Sequence, residues 1–204
     1  MNAAVLRRFA LLLLVTGFVL VTVWAVVRPY FFDAPDGDFE TRQGDILLTD
    51  RKWDLALERF QAALALSPEH RGAWMGKAIA YLQSGRTAEA DAAFSHVIER
   101  LGPKVAADDT TGRAVLAGAY ANRGILHDRE GRFEAALADY RKALAIDAGA
   151  VDGPGLMDKI LFGNAQPSTV AKRAAYLERQ LALPEDQRLL RVPELDARQR
   201  MHKP

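Results

Sequence analysis

The sequence predicts an all-α protein, with one N-terminal transmembrane helix followed by an α-solenoid of three repeats and a degenerate capping helix pair. Three observations predict it. Residues 9–27 (FALLLLVTGFVLVTVWAVV) form a 19-residue run without a charge. The chain resembles itself at a spacing of 34 residues, and near its end Val170, Ala174, Leu177 and Leu181 fall on one helical stripe. A length of 204 residues suits one domain rather than two catalytic lobes. Lys and Arg number 27 against 26 Asp and Glu, which gives no bulk charge to attract nucleic acid. The absence of cysteine excludes disulfides, thiolate metal sites and cysteine nucleophiles together.

The first element is the uncharged run. At 1.5 Å per residue, 19 helical residues reach about 28 Å, close to the thickness of a bilayer's hydrocarbon core. A cleavable signal, with Arg7–Arg8 as its basic start and Val23-Trp24-Ala25 as its cut site, is the competing reading. The apolar stretch is longer than the usual signal core and ends in Trp24, Arg28, Tyr30, Phe31 and Phe32, as an interfacial anchor does, so a retained span is expected. Arg7, Arg8 and the free amino terminus precede it, whereas Arg28 is followed by Asp33, Asp36, Asp38 and Glu40 with no further base until Arg42. That bias places residues 1–8 in the cytoplasm and the rest across the membrane, with 28–36 as linker.

The repeats come next. Gly44, Trp53, Ala56, Phe60, Ala63 and Pro68 return as Ala78, Thr87, Ala90, Phe94, Val97 and Gly102, with Trp74, Tyr81 and Gly85 in the same frame. After about twelve inserted residues (105–116) a third copy shows Tyr120, Gly124, Gly131, Phe133, Ala136, Tyr140 and Ala143. Small residues at Gly44, Ala56, Ala78, Ala90, Gly124 and Ala136 let two antiparallel helices approach, and the aromatics fill the gap to the next unit. This pattern resembles the tetratricopeptide repeat, a 34-residue helix–turn–helix unit. The units fall at 37–70, 71–104 and 117–150. Departures are Glu40 and Leu47 in the first unit, and His127 and Ala148 in the third.

Past Ala150 the pattern fades. A short helix over Gly155–Phe162 and an amphipathic one over Ser168–Leu183 are expected within a degenerate fourth unit, 151–184, which a solenoid needs to stop stacking. Residues 185–204 form a tail whose Leu189, Leu190 and Leu195 dock on the solenoid or on a partner, unless the tail is simply solvated.

The search for chemistry finds no site. His70, His96, His127 and His202 lack metal-ligand spacing and are expected as exposed loop or helix residues. No nucleophile elbow or phosphate loop is present, and Asp108–Asp109 and Glu185–Asp186 suit caps and solvated charge. The expectation is a protein that is not an enzyme and needs no cofactor, metal, nucleic acid or small-molecule substrate.

The resemblance implies binding of a protein partner on the concave surface lined by the first helix of each unit. The matching positions are Asp38, Thr41, Asp45 and Leu48, then Met75, Ile79, Leu82 and Gln83, then Asn122, Ile125, Asp128 and Arg129. Family members that clamp acidic C-termini do so with lysines beside asparagine or arginine. Thr41, Asp45, Gly76, Gly118 and Asn122 stand there instead, so an apolar peptide segment is the expected ligand, the alternative being that Met75, Ile79 and Leu82 are covered by the C-terminal tail or by core packing. Two roles follow from the resemblance to single-span repeat proteins of bacterial inner membranes. One is a scaffold or assembly factor facing the periplasm; the other is a permanent structural subunit of a membrane complex.

Overall fold

A computed structural model describes residues 3–31, 35–151 and 169–192. Among them the chain is all helix: α1 (Ala3–Phe31), α2 (Asp38–Thr49), α3 (Trp53–Leu66), α4 (Arg71–Gln83), α5 (Thr87–Leu101), α6 (Thr110–Arg129), α7 (Phe133–Val151), α8 (Val170–Leu181) and a 3-10 turn, Glu185–Gln187. The helix expected over Gly155–Phe162, and Leu195, lie outside the described residues.

The first helix runs beyond both ends of the uncharged stretch, and every side chain from Leu6 to Val26 is exposed. Its 23-residue segment Leu6–Arg28 is long and apolar enough to cross a bilayer, as a membrane anchor or a signal sequence is. Thr22 turns its hydroxyl back onto the Phe18 carbonyl at 2.8 Å, which satisfies that polar group within the helix.

Helices α2–α7 pair in sequence as α2–α3, α4–α5 and α6–α7, and each packs on its successor. The first helices of the pairs also touch one another, α2 on α4 and α4 on α6, so they form one continuous layer. Glycines permit that approach. The Phe60 ring of α3 is fully enclosed between α2 and α4, where a Cβ on Gly44 or Gly76 would lie 2.6 or 2.4 Å from it. Gly124 stands likewise against Tyr140, at 2.7 Å. One core runs from α2 to the inner side of α6 around Phe60, Met75, Ile79, Phe94 and Leu126. A second, on the other side of α6, joins Ala121, Ile125 and Tyr140 to Val170, Ala174 and Leu177 of α8.

The inserted residues before the third unit resolve into a loop ending at Asp109, whose carboxylate caps α6 by accepting from the Gly112 amide at 2.8 Å. Helix α6 therefore starts seven residues ahead of the expected unit boundary at 117. Helix α7 breaks at Asp147, which leaves helical geometry (φ −156°, ψ 91°) and accepts from the Ala150 amide at 3.0 Å. The second helix of the third unit thus ends before Asp147, and Asp147 caps a new helical segment. The histidines need correction: none of the three described is exposed, and His96 packs its ring on Trp74 with centroids 4.0 Å apart. His70 caps α4 through Nδ1, which accepts from the Ala73 amide at 3.1 Å, so its Nε2–H is left to donate to Asp38 at 2.7 Å. His127 is enclosed between Asp91 and Asp139, each 3.4 Å away. His202 lies outside the described residues.

Candidate partner-binding cleft

The concave residues expected to bind a partner divide sharply by burial. Met75, Ile79, Leu82 and Ile125 are core residues, each no more than 4% exposed, so the apolar stripe is not an open surface of this chain. Met75, Ile79 and Leu82 are used in the core that joins α2, α4 and α6, and Ile125 in the one that α6 shares with α7 and α8. Asn122 and Thr41 are buried as well, and the Thr41 hydroxyl has no hydrogen-bond partner. Asp38 serves His70, and Asp45 is half-buried. Asp128 is enclosed and ion-paired to Arg173 of α8 at 2.7 Å, so it is no peripheral charge waiting for a ligand. Arg129 alone among the expected groove residues of the third unit is exposed.

The tail from Glu185 to Val192 follows the solenoid. Tyr176 donates to the Leu189 carbonyl at 2.5 Å, Arg173 to the Leu190 carbonyl at 3.0 Å, and the Leu189 amide to Gln180 at 2.7 Å. The Leu190 side chain joins the second core, while that of Leu189 points to solvent. Arg191 then lies over the Phe133 ring and donates to the Arg129 carbonyl at 2.8 Å.

A cleft of about 490 Å³ opens where the C-terminal ends of α2, α4 and α6 meet, lined by Leu48, Thr49, Arg51, Trp53, Leu82, Gln83 and Arg129. Its accessible side chains are the half-buried Trp53 indole and the exposed Arg51 and Arg129, while Leu48 and Leu82 line it with only 4% of their surface open. Those cations also suit the negative ends of the helix dipoles around them. Two planar donors beside an indole can take a carboxylate and a neighbouring apolar side chain.

Leu48, Leu82, Gln83 and Arg129 were legible from the frame; Arg51, Trp53 and Arg173 were missed. A signal existed for Arg51. It occupies the turn position that Gly85 and Gly131 fill in the other units, with φ of 60° against their 77° and 79°. It is the only non-glycine at positive φ among the described residues. Arg173 was visible only as a cation inside the apolar stripe of α8.

No group of three or more metal-ligating side chains clusters among the described residues. What the architecture defines is a helical-repeat module with a solvent-facing cleft, preceded by an apolar helix. Two family models, both of the tetratricopeptide repeat, match residues 41–106 and 117–149, so the chain carries such repeats and with them a role in protein–protein interaction. No curated protein matches the chain.

Proposed function

We propose that the protein is a scaffold or assembly factor, anchored in a bacterial inner membrane by α1, that holds a partner protein on the periplasmic side through the cleft at the ends of α2, α4 and α6. The observation that carries the cleft assignment is that exposed Arg51 and Arg129 line one cleft with the Trp53 indole. An arginine at left-handed φ costs about 1 kcal/mol relative to glycine, and a turn under no other demand would use glycine as its two counterparts do. With the Met75–Ile79–Leu82 stripe enclosed, the ligand class shifts from a purely apolar segment to an extended one carrying a carboxylate beside an apolar residue. The fully exposed faces of α1, with Arg7 and Arg8 before the apolar run, support the anchor and its orientation.

The test is a mild-detergent capture with the intact chain, comparing wild type with Arg51→Glu/Arg129→Glu. Both residues are exposed, so helicity by circular dichroism should be unchanged while the captured partner falls at least tenfold, and capture by wild type should weaken as salt rises. Equal recovery by the folded variant would remove the cleft. An alkaline phosphatase fusion after residue 150 should be active, and an inactive one would reverse the orientation.

A further inference from the structure

The three first helices share a frame, and within it Phe39, Arg42 and Ile46 of α2 correspond to Ala73, Gly76 and Ala80 of α4 and to Ala119, Asn122 and Leu126 of α6. These positions face backwards along the solenoid. A Cβ on Gly76 would meet Phe60 of the preceding pair at 2.4 Å. Ala119 and Leu126 belong to the core shared with the preceding pairs, whereas Ala117, Ala121 and Ile125 belong to the core shared with α7 and α8. All six residues in α4 and α6 are buried. In α2 the same stripe has no earlier repeat to meet, and Phe39 is 56% and Ile46 64% exposed. A solenoid normally ends in a polar face, so two large apolar side chains here call for an occupant.

Residue size argues against another helix of the repeat type. Ala73, Gly76 and Ala80 let the preceding pair come close, and Phe39 and Arg42 would hold such a pair away. Chain length argues for a lipid surface. Helix α1 ends at Phe31 and α2 begins at Asp38, so seven residue steps, at most about 24 Å, join the end of the apolar helix to this stripe. Asp36 just before α2, and Asp38 and Glu40 in its first turn, oppose attraction to anionic lipid, which leaves apolar insertion as the driving term.

We propose that the Phe39–Arg42–Ile46 stripe rests on the bilayer, laying α2 along the membrane beside the end of α1. The proposal rests on α1 being a retained anchor. It gives the first repeat a second task, which is to orient the solenoid on the membrane.

The chain has no cysteine, so Ile46→Cys offers one site for a nitroxide label at an exposed position. The full chain is reconstituted in phosphatidylcholine vesicles, with and without phosphatidylglycerol. Collision with oxygen should exceed collision with a water-soluble nickel chelate several-fold at position 46, in both lipid compositions. The reverse should hold for an Ala92→Cys label, which sits exposed on α5. Phe39→Cys repeats the reading one stripe position earlier. A water-like label at positions 39 and 46 in a chain that withstands alkaline carbonate would overturn this inference alone. Dipolar broadening that disappears on dilution with unlabelled chain would do the same, by placing a second copy on the stripe. A chain stripped from the vesicles by carbonate would overturn the anchor reading and this inference with it.

Discussion

Arg173 of α8 closes on Asp128 of α6 with Nε and Nη2, each 2.7 Å from its own carboxylate oxygen, and both side chains are less than 5% exposed. Tyr140 of α7 donates to the same carboxylate at 3.2 Å, and Arg173 Nη2 also donates to the Leu190 carbonyl. Burial, then the Asp128 charge, pushes the Tyr140 hydroxyl well above its ordinary range, so it stays a donor. One guanidinium thus ties the third repeat, the capping helix and the tail together.

Arg173→Met should therefore leave a buried carboxylate without its cation and cost about 3–5 kcal/mol. Asp128→Leu/Arg173→Met, which removes both charges, should recover most of that loss, because the pair's desolvation cost disappears with its attraction. Thermal and urea unfolding followed by circular dichroism decides it, and a single-variant loss under about 1 kcal/mol would show that the pair is not holding the cap.

The repeats, the close approach at their small residues and the amphipathic α8 were legible because each rests on local spacing, whereas the sequence set the aromatics toward the next unit and did not show that Phe60 also presses on Gly44 and Tyr140 on Gly124 within their own units. Whether Met75 and Ile79 line an open groove or are covered was left open by the sequence, since a stripe on one helix does not reveal how closely the next helix approaches. That closeness depends on Gly76 accepting the Phe60 ring, a contact between units rather than within one. The cleft was half legible. Leu82 and Arg129 follow from the frame, but Arg51 sits in the turn after α2 and Trp53 opens α3, and neither position lies on the first helix of a unit, where the frame puts the groove.

Gly76→Ala tests that contact directly. The new methyl would stand 2.4 Å from a ring that is 0% exposed and already pressed by Gly44, so the ring has nowhere to swing. Alanine gains about 1 kcal/mol in helix propensity, and overpacking costs about 1–3 kcal/mol, so a net loss is expected. Adding Phe60→Leu should relieve part of it. A Gly76→Ala chain as stable as wild type would mean that α3 and α4 are spaced more widely than described.

Arg51→Gly should move stability and binding in opposite directions. Releasing the φ 60° position to glycine should add about 0.5–1 kcal/mol to unfolding stability, less than the full left-handed penalty because glycine also loosens the unfolded chain. The same change removes one of the cleft's two guanidinium groups, so partner capture should fall. A variant that is more stable and captures its partner undiminished would show that Arg51 is a backbone accident rather than part of the cleft.

Asp109 gives the repeat stack a dependence on acid. Its carboxylate accepts from the Gly112 amide at 2.8 Å and from Arg71 of α4 at 2.5 Å, and these bonds, the amide first, hold its pKa below the ordinary 3.8. A carboxyl with a depressed folded value binds its proton more readily when unfolded. Its contribution is therefore complete above the ordinary value and drains away as pH falls through the folded one. Asp109→Asn keeps a capping oxygen for α6 but loses the charge that holds Arg71. The melting temperatures of wild type and Asp109→Asn should differ most at neutral pH and converge as pH drops below about 3.8, the wild type alone losing the Arg71 tie. A gap that stays constant from pH 7 to pH 2 would show that the carboxylate acts only as a neutral cap and that its charge does not join α4 to α6.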